Sequence, residues 1–531
     1  MSNSIVEAVF NHAQQQPERP AILFEDQIVS YGQLYTEVER FARALQAQGV
    51  QPKERVALFL ENSPAFVIAY LGTHLAGGIV VLVNTQYRQV ELSHIMNDAG
   101  VRLCVTSAAG AEELYPLSPP SLTTLVIVGP AANWPSSSDP IESIPFTDFI
   151  DRGSQDREQS SDRDRTNLPM PSPDASAVIA YTSGTTGRAK GALLLHRNLI
   201  SNITAVTTAW HWTDEDRLLL TLPLFHTHGL MVGMHGTLFT GACVVLRRKF
   251  DAIACLNTLR DDSSITLFFG VPTMYSRLLA EAERQGVPQH PLRLFVSGSA
   301  PLSSQLFEQF AHTFGQLILE RYGMTETSMN LTNPYVGERR AGTVGGPFPG
   351  QEAHVVDVVT RQLLPSGKIG EIEVRGPHVF VGYWNRPDAT SEAFSVDGWF
   401  KTGDLGWYSS DGYYTITGRA RELIISGGYN IYPREVEDVL EAHEDVAEVA
   451  VIGLPDPDMG EQVVVVVVPK AEHTPDPASI IAFCRAQLAS YKKPRQVVFV
   501  SSLPRNALGK VQKHVLAAQV QSALSQVDKN Q

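Results

Sequence analysis

Short apolar runs alternate with helical patterns along most of this 531-residue chain. Residues 21–24, 55–59, 79–82, 103–106 and 125–128 are apolar and often β-branched, and amphipathic stretches separate them. Buried strands that recur between helices are typical of sheets covered by helices on their faces. The pattern therefore predicts an α/β fold with several such units.

The pattern changes after Gly418. We expect helices over residues 435–442 and 480–489 and strands over residues 446–452, 463–468 and 496–500. A compact α+β domain is the natural interpretation, and its length is within the normal size of a domain. The sequence predicts a large N-terminal multi-subdomain α/β body over residues 1–419 and a small C-terminal domain over residues 422–531, with a hinge near 420–421.

Composition narrows the class of protein. Hydrophobic residues make up 43% of the chain and charged residues 18%, which is ordinary for a globular enzyme. A net charge of −14 argues against nucleic acid or an anionic membrane as a partner. The four cysteines lack metal-ligand spacing, and no apolar stretch approaches the roughly 20 residues that span a bilayer. No secretory address is evident, so we expect a soluble cytoplasmic protein without stable membrane insertion.

A Gly/Thr-rich loop follows a predicted buried strand at residues 176–181. Residues 181–191 read Y-T-S-G-T-T-G-R-A-K-G, which is not the spacing of a P-loop. A strand that leads into such a loop presents backbone N–H groups, hydroxyls and cations to a polyphosphate. An ordinary surface turn is the alternative. Residues 154–173, just upstream, are rich in Asp, Arg, Ser and Pro and predict a solvated loop.

A lone lysine near the C-terminus lies on a second loop. Residues 504–510 read P-R-N-A-L-G-K, so Lys510 follows a Pro/Asn/Gly-rich segment. A cation on such a loop could neutralise charge that develops during a reaction, although a solvated lysine is the usual alternative. The two loops together suggest chemistry divided between two parts of one chain.

Seven motifs occur in the order found in one enzyme superfamily. They are residues 181–191, 223–229 (P-L-F-H-T-H-G), 298–301 (G-S-A-P), 321–327 (R-Y-G-M-T-E-T), 402–405 (T-G-D-L), 418–426 and 504–510. Together they resemble the adenylate-forming superfamily of acyl-CoA synthetases, luciferases and adenylation domains, over nearly the whole chain. Residues 320–330 and 271–278 (V-P-T-M-Y-S-R-L) look most like the malonyl-CoA synthetase branch.

The resemblance implies an ATP-dependent acid–CoA ligase that requires Mg²⁺. A carboxylate, most simply malonate and possibly also methylmalonate, would attack the α-phosphate of ATP and release diphosphate. The thiol of CoA would then displace AMP from the acyl-adenylate. In this superfamily the small C-terminal domain is mobile and rotates between the two steps.

The resemblance also assigns residues to ATP and to the metal. Glu326 would hold Mg²⁺ with Thr185, since a hard cation suits one carboxylate plus phosphate oxygens. Asp404 and Arg419 would bind the ribose, Tyr322 would stack on adenine, and Lys510 would be the catalytic cation. The remaining expected contacts to ATP or AMP are Thr182, Ser183, Gly184, Thr185, Thr186, Gly187, Lys190, Gly298, Ser299, Ala300, Glu320, Arg321, Gly323, Met324 and Thr325.

The acid and CoA have further expected contacts. Arg277 is the predicted partner of a second carboxylate, because a guanidinium directed into an acyl pocket needs an anion. A lone Arg on a helix surface is the alternative. His226, also a catalytic candidate as a gate of the thiol tunnel, would line this pocket with His228 and Met329. The residues expected near CoA are Gly427, Gly428, Tyr429, Arg247, Arg248 and Lys249, with Arg421 as the hinge.

Other functions remain open from the sequence. A short-chain, medium-chain or aryl acyl-CoA synthetase, such as a 4-coumarate–CoA ligase-like enzyme, would keep every ATP residue and differ in the direction of Arg277. An adenylation domain could instead pass its product to a separate carrier protein. A catalytically inactive nucleotide-binding protein should have lost Lys510, Glu326 or Asp404, and all three are present.

Overall fold

The structure is a computed structural model that describes residues 2–129, 141–159, 168–182, 189–426, 429–457, 459–506 and 509–528. The strands of the described body are β1 (Pro20–Phe24), β2 (Gln27–Ser30), β3 (Arg55–Phe59), β4 (Ile79–Leu82), β5 (Val101–Ser107), β6 (Thr124–Val128), β7 (Glu142–Pro145), β8 (Ser176–Thr182), β9 (Lys190–Leu195), β10 (Arg217–Leu220), β11 (Cys243–Leu246), β12 (Leu267–Gly270), β13 (Leu294–Ser297), β14 (Leu319–Tyr322), β15 (Leu331–Thr332), β16 (Gly346–Pro347), β17 (Glu352–Val356), β18 (Gly370–Arg375), β19 (Gly382–Tyr383), β20 (Phe400–Tyr408) and β21 (Tyr414–Arg419).

Helices cover the sheets of the body. They are α1 (Ile5–Gln15), α2 (Tyr31–Ala47), α3 (Pro64–Leu75), α4 (Gln89–Ala99), α5 (Ala108–Leu114), α6 (Phe146–Gln159), α7 (His196–Ala209), α8 (His235–Thr240), α9 (Ala252–Asp261), α10 (Pro272–Gln285), α11 (Ser304–Phe314) and α12 (Pro387–Ala393), with a π-helical segment at His228–Met234. No helix in the described ranges is long and apolar enough to cross a membrane.

Two large sheets form the centre of the body. One has the strand order β16-β15-β14-β13-β12-β10-β11-β1-β2, and the other β19-β9-β8-β4-β3-β5-β6-β7. The ladders between β10 and β14 and those between β3 and β8 are parallel. Central strands such as β4 and β12 are fully buried, as expected for parallel strands with helices on both faces. A smaller antiparallel sheet, β17-β18-β20-β21, completes the body.

The C-terminal domain has a hydrophobic core of its own. Its elements are β22 (Ile424–Ser426), β23 (Tyr429–Ile431), α13 (Pro433–Leu440), β24 (Val446–Asp456), β25 (Gly460–Pro469), α14 (Pro477–Gln487), β26 (Gln496–Phe499) and α15 (Lys513–Asp528). The buried side chains here cluster only with others beyond residue 423, whereas the core of the body uses side chains up to Tyr414. The predicted fold, a large α/β body with a small α+β C-terminal domain, is confirmed.

One predicted loop is partly wrong. Residues 154–159 continue helix α6 rather than belonging to a loop, and residues 160–167 lie outside the described part of the chain. The apolar first half of α6 packs Phe149 and Ile150 into the core and so forms the helix. Gln, Glu and Arg then extend it, because these residues are good helix formers whatever their polarity.

Candidate active site

Two adjoining cavities lie between the body and the C-terminal domain. The first has a volume of about 660 Å³ and the second about 560 Å³. Both are lined by Ser299, Arg321, Gly323, Arg419 and Lys510, so the two spaces meet at these side chains. Residues from distant parts of the sequence therefore converge on one continuous site.

Asp404 and Arg419 form the polar wall of the first cavity. They are opposite each other in the antiparallel ladder of β20 and β21, and Arg419 Nε lies 2.6 Å from Asp404 Oδ1. The hydroxyl of Tyr322, at the end of β14, donates to Asp404 Oδ2 at 2.5 Å. Asp404 raises the pKa of Arg419, which therefore stays charged. Asp404, Arg419 and Tyr322, which the sequence assigns to the nucleoside, thus adjoin one another in the lining of the first cavity.

The loop after β13 and the strand β14 supply the rest of this cavity. Ser299 has a left-handed backbone, with a φ of 69°, which turns the chain sharply at the cavity wall. Gly298 lies against Arg321, since a Cβ at this position would be 2.5 Å from the Arg321 Cζ. The other predicted ATP contacts that line the first cavity are Ala300, Glu320, Tyr322 and Gly323.

Glu326 is the acidic group of the second cavity. It is buried, and the hydroxyl of Tyr383 donates to its Oε1 at 2.8 Å. Burial raises the pKa of Glu326, whereas the hydrogen bond from Tyr383 lowers it. Lys190 Nζ lies 5.2 Å from the centre of the Tyr383 ring. The predicted residues Thr182, Lys190, Met324 and Thr325 also line this cavity.

Sequence reasoning missed Tyr383. Its position depends on the short strand β19, which pairs antiparallel with β9 so that Tyr383 is opposite Ala192. Nearly two hundred residues separate these strands, and no motif spacing indicates the pairing. The rest of the phosphate loop, Ser183, Gly184, Thr185, Thr186 and Gly187, lies outside the described residues.

Lys510 is held at the junction of the cavities by its own loop. The backbone N–H of Lys510 donates to Asn506 Oδ1 at 2.9 Å, and Gly509 adopts a φ of 75° just before it. Burial lowers the pKa of Lys510, and Arg419 lowers it further. An ammonium in this environment is stabilised by an anionic ligand.

His226, His228 and Met329, the predicted acid-pocket residues, line the second cavity. The π-helical segment starts at His228, and Gly229 packs so closely that a Cβ would lie 2.3 Å from the carbonyl oxygen of Pro223. Burial lowers the pKa of His226 to about 4 and that of His228 well below its usual range. Both imidazoles are therefore neutral near pH 7.

Arg321 is a buried cation on the opposite face of β14 from Tyr322. Its side chain is only 3% exposed, and burial lowers its pKa to about 9. Nε and Nη2 of Arg321 have no hydrogen-bond partner among the described residues. Arg321, which the sequence predicts as an ATP contact, lines both cavities.

Arg277, the predicted partner of a second carboxylate, lies outside both cavities in the structure. Helix α10 buries Tyr275, Leu278, Leu279 and Ala282, so these positions form its inward face. Arg277 falls between them on the outer face and is exposed, and it lines neither cavity. The 3.6-residue period of the helix makes this orientation unavoidable once Tyr275 and Leu278 face the core.

Of the predicted CoA contacts, the four that the structure describes lie outside the lining of the two cavities. Arg247 Nη2 donates to Thr258 Oγ1, Arg248 pairs with Glu25 at 2.9 Å, and Lys249 is exposed. Tyr429 is 55% exposed and stacks on Tyr491, with the ring centres 4.6 Å apart. Gly427 and Gly428 lie outside the described residues. Arg421, the predicted hinge, is exposed and borders the second cavity.

The chain matches known protein families over most of its length. Residues 9–384 match the AMP-binding enzyme family, and residues 435–510 match the AMP-binding enzyme C-terminal domain. A malonate–CoA ligase from Arabidopsis thaliana is 33% identical over 96% of this chain and 88% of its own length. A long-chain-fatty-acid–CoA ligase from Bacillus subtilis is 33% identical over 93% of this chain and 90% of its own length.

Among solved structures, the ATP-bound crystal structure of MatB from Rhodopseudomonas palustris is similar throughout. It superposes with a TM-score of 0.87 at 38% identity, covering 98% of this chain and 99% of that one. The resemblance inferred from the motifs is thus confirmed at the level of sequence and of fold. The chain belongs to the family of AMP-binding enzymes.

Proposed function

We propose that this protein is an ATP-dependent acid–CoA ligase that converts malonate, ATP and CoA to malonyl-CoA, AMP and diphosphate. In the first step a malonate carboxylate oxygen bonds to the α-phosphorus of ATP, and the bond to diphosphate breaks. In the second step the sulfur of CoA bonds to the acyl carbon, and AMP leaves with the electron pair. The position of Lys510, at the point where the two cavities meet, carries this proposal.

The first cavity suits the nucleoside. Asp404, aligned by Arg419 and Tyr322, can accept the ribose hydroxyls, and the Tyr322 ring offers an apolar face to adenine. The α-phosphate would then lie near Lys510 and Arg419, with the acid approaching from the second cavity. Two fixed cations at the reacting phosphorus stabilise the charge that develops there.

The chemistry of Glu326 fits Mg²⁺. The described residues contain no group of three or more His, Cys, Asp or Glu side chains that could hold a metal ion by itself. Mg²⁺ typically binds one or two carboxylates together with substrate phosphate oxygens, and the buried Glu326 in the second cavity supplies one such carboxylate. Bound there, Mg²⁺ would neutralise phosphate charge, and Thr185 would be a second ligand.

The thiol step requires a different arrangement of the two domains. Tyr429 and the segment around Gly427 and Gly428 would line the thiol tunnel only after the C-terminal domain turns about the hinge near Arg421. Arg248 borders a separate cavity of about 250 Å³ at the ends of β3 and β5, next to Arg88. The phosphates of CoA would bind in this region, with Arg247 and Lys249 as neighbours.

The relatives differ in the acid they use, so the acid must be tested directly. The purified protein is incubated with ATP, Mg²⁺, CoA and one of malonate, methylmalonate, succinate, acetate, propionate, octanoate or coumarate, and AMP and acyl-CoA are measured by mass. We expect malonate to exceed acetate and propionate in kcat/KM by roughly 10⁴-fold, because a site built for a polar group rejects ligands that lack it. Methylmalonate should be tolerated, since one methyl group is worth about 1–3 kcal/mol.

Two results would contradict the proposal. A monocarboxylate that is used faster than malonate would favour a short-chain, medium-chain or aryl acyl-CoA synthetase. Failure of every acid to release diphosphate from ATP would favour a nucleotide-binding protein without ligase activity.

A further inference from the structure

Helix α4 ends on a carboxylate that its own helix does not stabilise. Asp98 lies in the last turn of α4, and this turn contains no basic residue. The carbonyl groups at the C-terminus of a helix carry partial negative charge, so a further negative charge there is unfavourable by itself. The side chain of Asp98 is only 11% exposed, which adds a cost of desolvation. Asp98 therefore depends on partners from outside α4.

The two oxygen atoms of this carboxylate bind different parts of the body. Oδ2 accepts a hydrogen bond at 2.7 Å from the hydroxyl of Tyr181, near the end of β8. Oδ1 accepts a hydrogen bond at 2.8 Å from Nη2 of Arg386, which follows β19. The backbone carbonyl of Asp98, one of the last four of the helix, accepts a third bond at 3.1 Å from Nε1 of Trp384. One residue thus joins the ends of two strands that are far apart in the sequence.

Both of these strands belong to the wall of the second cavity. Thr182 and Lys190 are opposite each other in the ladder of β8 and β9, and Tyr383 on β19 donates to Glu326. All four side chains line the cavity. In the proposed function this part of the site meets Mg²⁺ and the β- and γ-phosphates of ATP. A change in the spacing of the strands would therefore move Lys190 relative to Glu326.

Helix α4 also contacts the beginning of β9. His94, one turn earlier on the helix, has its Nε2 2.8 Å from the carbonyl oxygen of Ala189. The His94 ring packs edge-on against the ring of Tyr181, with the ring centres 6.0 Å apart. Gly191 leaves room for that tyrosine, because a Cβ at this position would lie 3.2 Å from Cζ of Tyr181. The helix therefore holds β8 and β9 at the end of the pair that borders the cavity.

We propose that Asp98 is a positioning residue for the ATP-dependent step: it holds the β8–β9 pair and β19 at the spacing at which Lys190 and Glu326 act together on the diphosphate end of ATP. This inference rests on the proposed function and concerns its first step. Asp98 itself lines neither cavity, so its effect passes through Tyr181 on one side and Arg386 on the other. AMP lacks the β- and γ-phosphates, and its binding should not depend on Asp98.

The test compares the affinities of the full-length protein for an ATP analogue and for AMP. Binding of a non-hydrolysable ATP analogue is measured by calorimetry at several Mg²⁺ concentrations, and AMP binding is measured in the same way. In Asp98→Ala we expect the Kd of the analogue to rise by roughly tenfold or more, because a charged and a neutral hydrogen bond are both lost. The Mg²⁺ concentration for half-maximal binding should rise with it. The Kd of AMP should change by less than about twofold.

Milder variants examine each side of the connection and do not require the protein to tolerate Asp98→Ala. Tyr181→Phe and Arg386→Met each remove one partner of Asp98, and each should raise the Kd of the analogue by about 3–10-fold. In the Asp98→Ala background neither should have a further effect, because the bond that it removes is already absent. Asp98→Asn should restore most of the affinity, since its oxygen can accept from Arg386 and its amide can donate to the Tyr181 hydroxyl.

Asp411→Ala is the matched control. Asp411 pairs with Arg340 at 2.7 Å in the exposed turn between β20 and β21, and it lines neither cavity. This variant loses a pair between a carboxylate and a guanidinium, as Asp98→Ala does. It should leave the Kd values of the analogue and of AMP unchanged.

Three outcomes would overturn the assignment. Equal losses of affinity for the analogue and for AMP in Asp98→Ala would mean that Asp98 supports the body as a whole. An unchanged Kd of the analogue in Asp98→Ala would exclude any role at the diphosphate end. A further loss from Tyr181→Phe in the Asp98→Ala background would mean that the Tyr181 hydroxyl acts without Asp98.

The proposed function can fail separately from this inference. The binding measurements need no acid, so a protein that uses a carboxylate other than malonate leaves the comparison of Asp98 variants intact. A wild type that binds no ATP analogue would defeat the proposed function itself, a result seen before any variant is made.

Discussion

Hydrogen bonding of its own backbone fixes the position of Lys510. The loop bonds that hold its amide to Asn506 leave the ammonium free to face both cavities. Both positive and negative groups lie near this ammonium. Arg419 lowers the pKa of Lys510, whereas Asp404 and Glu422 raise it. An incoming carboxylate and a phosphate would add two more negative groups at the same point, which is where a mobile cation has most effect.

Replacing Lys510 with alanine should separate the two half-reactions. We expect malonate-dependent exchange between ATP and diphosphate to fall by roughly 10²-fold or more, the usual cost of removing one group that stabilises developing charge. Conversion of supplied malonyl-adenylate and CoA to malonyl-CoA should change only a few-fold, since that step does not need this cation. Lys368→Ala, at an exposed turn, is the control. Equal losses in both half-reactions would contradict the assigned role.

At the scale of elements, the local hydrophobic pattern was sufficient to predict the buried strands. The predicted strands at residues 55–59 and 79–82 coincide with β3 and β4, because short β-branched runs between helices have few other ways to be buried. The direction of Arg277 was not predictable in the same way. The direction of this side chain depends on which face of α10 packs against the core. The sequence shows an apolar stripe with an arginine beside it, and only tertiary packing decides on which side of the stripe the arginine lies.

Pairing between distant strands explains the other omissions in the site. Asp404 and Arg419 could be paired from motifs, but Tyr383 reaches Glu326 only through the contact of β19 with β9. Glu371 was missed for a similar reason. It lies on β18 and accepts a hydrogen bond at 3.0 Å from the N–H of Gly403, the residue before Asp404. Arg361 pairs with Glu371 and with Glu373, which fixes the carboxylate that holds the turn.

Glu371 is therefore expected to position Asp404 through the backbone of Gly403. In Glu371→Leu, loss of the bond to Gly403 should cost about 1–3 kcal/mol and raise the KM for ATP and the Kd for AMP by roughly 5–100-fold. The KM for malonate should change little. Glu371→Gln keeps an acceptor oxygen and should recover most of the AMP affinity. Glu352→Leu, which removes an exposed ion pair with Arg375, is the control. An unchanged AMP Kd in Glu371→Leu would exclude the positioning role.

At the scale of the whole molecule, the body encloses several neutral histidines. His74, His196 and His235 lie close together in the core, with the rings of His74 and His196 4.7 Å apart. Burial lowers the pKa of His196 to about 4 and that of His235 to about 3. The C-terminal domain has a separate core, so protonation of these imidazoles bears on the body alone.

The stability of the body should therefore fall as the pH drops below about 6.5, the pKa of an unfolded histidine. Between that pH and about 4 the histidines bind protons in the unfolded chain but not in the folded one. Each such histidine therefore lowers the free energy of unfolding by about 1.4 kcal/mol at pH 5.5. Urea midpoints of the body, followed by tryptophan fluorescence from pH 7.5 to 5, measure this slope. His196→Phe should make the slope shallower, whereas His312→Phe, on the exposed side of α11, should leave it unchanged. A slope that is the same in wild type and His196→Phe would mean that other groups control the acid limit of the body.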